Sequence, residues 1–160
     1  MTNTTCTLED FSSISSQTEI EEGLELKLPG LTVLAWRKPC YIDNSPEWDG
    51  LSGYHLGIEF FGTVDLDLKQ AAYEISFAFV CGSSAPSKLK VEFYSDLGGT
   101  TLISTQETMP SAQNLGLFSS GVLNTPFLKV RVITPESEAL KTNAWLDDIV
   151  VRSKPALKSK

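Results

Sequence analysis

Apolar and polar residues alternate with a period of two over several stretches of this chain. Leu24, Leu26 and Leu28 flank Glu25 and Lys27, while Tyr73, Ile75, Phe77 and Phe79 flank Glu74, Ser76 and Ala78. Leu89, Val91 and Phe93 enclose Lys90 and Glu92, and Leu128, Val130 and Val132 enclose Lys129 and Arg131. A β-strand turns successive side chains to opposite faces, so each stretch reads as a strand with one dry and one wet face. Segments 31–37, 54–60, 101–107 and 145–151 extend the set to about nine or ten strands. Strands of this kind bury their dry faces by stacking as two antiparallel sheets, which predicts an all-β two-sheet sandwich of the jelly-roll type.

Helical periodicity is nearly absent. Residues 16–22 and 135–141 each offer one turn at most. Turn chemistry instead punctuates the strands at Pro29-Gly30, Asp49-Gly50, 82–86 and Gly98-Gly99. The stretch from Phe93 to Leu102 reads as a hairpin whose glycines supply positive φ at the bend. No repeat or internal boundary interrupts the pattern. The 160 residues therefore predict one domain over 1–153 with a flexible basic tail over 154–160.

Charge narrows the possible partners. The net charge is −7, and residues 1–60 hold ten acidic side chains against three basic ones (Lys27, Arg37 and Lys38). Such a surface repels phosphate backbones, which argues against nucleic acid, and attracts cations. No apolar run reaches the ~18 residues of a membrane helix, so membrane insertion is not expected. The first ten residues lack the basic and apolar regions of a secretory signal, which suggests a cytoplasmic protein or export by a signal-independent route. Cys6, Cys40 and Cys81 show no CxxC spacing, so reduced thiols are expected, with a Cys6–Cys40 bridge left open.

Catalytic signals are sparse. His55 is the single histidine, and no nucleophile motif accompanies it, so it reads as an exposed or hydrogen-bonded strand histidine. Asp43, Glu47, Asp49, Glu59, Asp65 and Asp67 are candidate carboxylates, but sequence does not show which of them face one another. Trp36 sits in an apolar strand and reads as core.

The uneven run 38–53 carries Tyr41, Asp43, Asn44, Trp48 and Asp49. An aromatic ring can stack under a sugar while amides and carboxylates bond its hydroxyls, so these five are the candidate ligand contacts, with a structural loop as the alternative. Acids also cluster at the two chain ends, Glu9 and Asp10 in one and Asp147 and Asp148 in the other. They suit either calcium or local capping and pairing.

Three short segments carry a resemblance: Leu8-Glu-Asp-Phe11, Asp49-Gly50 followed by Tyr54-His-Leu56, and Trp145-Leu-Asp-Asp-Ile-Val-Val151. Together the chain resembles the galactose-binding-like jelly rolls, which include carbohydrate-binding modules, MAM domains and extracellular bacterial domains. The resemblance implies a non-catalytic carbohydrate or cell-surface binding module. It also implies a structural calcium between Glu9 or Asp10 and Asp148, with Asp147 as a further contributor. The competing readings are an assembly subunit forming a homo-oligomer through sheet edges or an apolar face, and a hydrolase or isomerase on the same scaffold.

Overall fold

The computed structural model describes residues 4–44, 51, 53–82, 88–109, 115–135 and 143–153. Among them run thirteen strands and no helix: β1 (Thr5–Glu9), β2 (Thr18–Ile20), β3 (Glu25–Lys27), β4 (Leu31–Arg37), β5 (Cys40–Asp43), β6 (His55–Ile58) and β7 (Thr63–Ala72), then β8 (Glu74–Gly82), β9 (Leu89–Tyr94), β10 (Leu102–Thr108), β11 (Gly116–Ser119), β12 (Phe127–Ile133) and β13 (Asn143–Ser153). They form two sheets. One has the order β11-β8-β13-β6-β5-β2, with β1 pairing beside the far half of β13. The other has the order β10-β9-β12-β7-β4-β3. Every pairing is antiparallel.

The two-residue rhythm thus gives the two-sheet sandwich expected, with corrections in detail. Thr18–Ile20 is a strand on the edge beside β5, not a helical turn. Cys40–Asp43, read as part of a loop, is β5, and it packs Cys40 and Ile42 into the core. Strand β7 adds to the expected set: Val64, Leu66 and Leu68 alternate there as its inward residues, with Asp65 and Asp67 on the other face. The turn read over 135–141 lies, beyond Pro135, outside the described residues, as does the tail over 154–160.

The core lies between the sheets. Ile42, Leu56, Leu146 and Phe79 form one inward row, and Cys40, Ile58, Ala144 and Cys81 form the next. Val33, Leu66, Val130 and Phe93 face them from the second sheet. Phe77 stacks on Phe118 at 4.8 Å and Phe93 meets Phe127 edge-on at 5.1 Å. Each fully buried Leu or Phe contributes about 1.5–3 kcal/mol.

One irregularity matters for the site. The pairing of β13 with β8 slips between Asp147 and Val150, and Asp148 there takes a φ of +49°. The bulge resets the alternation, so that Leu146 and Ile149 both face inward. The end of the strand before the bulge carries Trp145 outward onto the opposite face.

Candidate functional site

The outer face of the first sheet holds a cleft of about 220 Å³ lined by Tyr41, Asp43, His55, Gly57, Ile58, Glu59, Asn143 and Trp145. Register explains how it assembles. Tyr41 of β5, Gly57 of β6 and Trp145 of β13 are cross-strand partners in one row, so their side chains share a face. Glycine in the middle leaves a trough between two aromatic rings.

Glycine also sets the pose of the tryptophan. A Cβ on Gly82 would stand 2.6 Å from Cζ3 and 2.8 Å from Cη2 of Trp145, and one on Gly57 would stand 3.4 Å from its Nε1. The indole therefore lies down along the sheet, its benzo edge over β8 and its pyrrole edge beside β6. Leu51, Ala78 and Val80 pack against it.

Polar groups ring this apolar floor. Asp43 and His55 are cross-strand partners at one end. His55 is buried, at 1% exposure. Its Nδ1 lies 3.2 Å from the Gly53 carbonyl oxygen. A carbonyl accepts only, so Nδ1 carries the proton and Nε2 presents a lone pair. That Nε2 is buried with no hydrogen-bond partner among the described residues. Burial lowers the imidazole pKa, opposed by the Gly53 hydrogen bond and the Asp43 charge, which favours the neutral ring. At the other end the Asn143 side-chain oxygen accepts from the Phe60 backbone N–H at 2.8 Å. The Tyr41 hydroxyl is pushed up by burial and by the charges of Glu59 and Glu19.

Of the five ligand residues read from sequence, Tyr41 and Asp43 line this cleft. Asn44 is exposed just beyond it and donates its backbone N–H to Asp43 at 2.7 Å. Trp48 and Asp49 lie outside the described residues. Trp145, His55, Glu59 and Asn143 were not named as ligand contacts. The pairing of Gly57 with flanking aromatics on both sides is the signal for them, and it becomes visible only with the register.

Of the residues assigned to calcium, Glu9 stands opposite Ile149, the neighbour of Asp148, through β1–β13 pairing. Glu9 is buried and accepts the backbone N–H of Phe11 at 2.8 Å and of Gly30 at 3.0 Å. Asp10 accepts the backbone N–H of Ser12 at 3.0 Å, and its pKa is lowered first by hydrogen bonding with the Ser12 side chain and then by that backbone contact. Asp148 is exposed on the bulge, and its N–H is held by the neighbouring Asp147 carboxylate at 2.8 Å. Oxygen donors suit calcium chemically, but no group of three or more His, Cys, Asp or Glu converges among the described residues.

The outer face of the second sheet carries a different arrangement. Trp36 is 49% exposed, contrary to its reading as core, and the Arg131 guanidinium stacks on its ring at 4.1 Å. Arg131 grips Asp65 with two hydrogen bonds of 2.7 and 3.0 Å, and Lys129 bridges Asp65 at 2.9 Å and Asp67 at 3.0 Å. Asp65 and Asp67 are thus ion-pair partners within a sheet face, not a facing acid and base. All three cysteines are free thiols, Cys6 exposed and Cys40 and Cys81 buried.

No protein-family model and no curated protein matches the chain. Solved structures do. The fold is similar to a carbohydrate-binding module of family 29, at 13% identity and TM-score 0.56, over 94% of this chain and 90% of that one. It is likewise similar to the K2 cleaved adhesin domain of Lys-gingipain, at 13% identity and TM-score 0.57, over 92% of this chain and 99% of that one. A family 29 module variant solved in complex with mannohexaose aligns at 13% identity and TM-score 0.52, over 86% and 92%. The likeness establishes the fold as the two-sheet β-sandwich of these proteins.

Proposed function

We propose that this chain is a non-catalytic carbohydrate-binding module whose ligand lies in the cleft between Tyr41 and Trp145. The observation that carries the reading is the recumbent indole of Trp145, seated over Gly82 and separated from Tyr41 by Gly57. Such a floor matches the apolar face of a pyranose, while Asp43, Glu59, Asn143 and His55 stand where its hydroxyls project. The mannohexaose in one structurally similar module supports a sugar as the ligand class.

Trp36 favours a second reading, in which an oligosaccharide lies across the second sheet against the exposed ring and the polar groups beside it. One experiment separates the two. Isothermal titration with mannohexaose, on the intact chain and on Trp145→Ala and Trp36→Ala, is expected to show about a tenfold or greater loss in Trp145→Ala, each tenfold being about 1.4 kcal/mol. Trp36→Ala is expected to bind as the parent does. The reverse pattern, in a Trp36→Ala variant with an unchanged circular-dichroism spectrum, transfers the site to the second sheet.

A further inference from the structure

We infer that the cleft selects glycans carrying a protonated amine, that is amino sugars, over neutral and acidic glycans of the same length. The inference rests on the carbohydrate reading above and adds the charge and hydrogen-bonding sense of the ligand.

It comes from the inventory of the walls. Asp43 and Glu59 both line the cleft, and Glu19 stands opposite Tyr41 in the next strand. The charges of Glu59 and Glu19 are both felt at the Tyr41 hydroxyl. Among the described residues, no Lys or Arg lines the cleft. Lys38, just ahead of β5, directs its ammonium to the Phe60 carbonyl oxygen at 2.8 Å and over the Phe60 ring at 4.0 Å.

An acidic rim alone would only be a solvated surface. The second observation is His55. Its Nε2 is an acceptor, 1% exposed as a residue, in the wall of the cleft and without a partner among the described residues. A buried acceptor left unmatched is costly, so a ligand that donates to it recovers that cost on binding. The wall therefore offers two carboxylates and a lone pair as acceptors, while of its donors the Tyr41 hydroxyl is turned to the Glu59 and Glu19 carboxylates and the Asn143 amide has its oxygen engaged by Phe60. Aromatic faces on the floor add to the same preference, since their electron-rich surfaces attract cations. Such a site asks for a donor-rich ligand with positive charge. A uronic acid or a sulfated sugar meets like charge on both sides.

The test compares glucosamine hexaose, N-acetylglucosamine hexaose, mannohexaose and galacturonic acid hexamer by titration into the full chain at about pH 5.5, where the sugar amine is charged. Glucosamine hexaose is expected to bind about fivefold or more tighter than mannohexaose, with the margin shrinking in high salt and the galacturonic acid hexamer weakest. Asp43→Asn together with Glu59→Gln is expected to abolish the margin, with glucosamine hexaose losing more affinity than mannohexaose. Equal affinity for the amine and neutral hexamers, with Trp145→Ala still abolishing both, overturns this inference and leaves the carbohydrate reading standing. No binding of any hexamer overturns both. A margin that survives in the folded double variant, or in Asp43→Asn and Glu59→Gln separately if the double variant does not fold, also overturns it.

Discussion

His55 is the chain's single histidine, and its burial ties the stability of the fold to pH. Desolvation lowers its pKa in the folded protein below the ordinary value of about 6.5, whereas the unfolded chain keeps that value. Between the two values the unfolded state binds a proton that the folded state refuses, so stability falls as pH drops below about 6.5. One proton sets the ceiling at about 1.4 kcal/mol per pH unit, or about 3–5 °C in melting temperature for a domain of this size. Melts of the parent between about pH 7 and 5 are expected to show this decline. His55→Asn is expected to flatten it, because an amide can still donate to the Gly53 carbonyl but does not titrate. A parent curve with no slope in that window would show that the ring is solvated when folded.

At the scale of the strand, β8 and β6 act on the cleft through the side chains they lack. Gly82 does not adopt a left-handed backbone, so β8 itself tolerates a methyl group there. The methyl would nevertheless stand 2.6 Å from Trp145 and lift the indole from the sheet. Gly82→Ala is expected to cost no more than the roughly 1–3 kcal/mol of overpacking in stability, yet to weaken glycan binding about tenfold. Titration of the variant beside its melting curve checks both, and unchanged affinity would mean that the flat pose is not required. The strand is also the scale at which the sequence proved most and least readable. Alternation revealed β8, β9 and β12 directly, because their inward residues are large and apolar. It concealed the short edge strands β2 and β11, whose few residues carry too little pattern. It concealed β5 as well, where prolines and polar neighbours on either side imitate a loop. Tyr41 and Asp43 were found as candidate contacts because residue type alone marks them. Residue type does not mark Trp145, His55 and Asn143 as ligand contacts, because only cross-strand register, and the bulge that resets β13, shows which face they share. Trp36 follows the inward Leu31, Val33 and Ala35 in unbroken alternation, which sets it on the outer face against Arg131 despite its apolar neighbours.

Across the whole molecule, the two buried thiols report whether the sandwich opens as one unit. Cys40 and Cys81 end the same inward row, which crosses β5, β6, β13 and β8 through Ile58 and Ala144. Burial pushes each thiol up to about 12, so neither supplies thiolate at neutral pH while folded. Cys6 on β1 is exposed. A maleimide added to the native protein is therefore expected to modify one thiol per chain, identified by mass as Cys6. The other two must wait for the core to open, and that core is shared: the first sheet presents Phe79 and Leu146 to the gap that Leu66, Val130 and Phe93 fill from the second. Removing one edge strand exposes only part of this row. Full exposure of either cysteine requires the sheets to part, at a cost of about 5–15 kcal/mol for an ordinary domain. Cys40 and Cys81 are thus expected to label with a common urea midpoint, coincident with the loss of the β-sheet circular-dichroism signal. If Cys40 labelled at lower urea than Cys81, β5 would be opening on its own. Tyr41 and Asp43 would then leave the cleft before the fold is lost, and ligand affinity would fall ahead of the main transition.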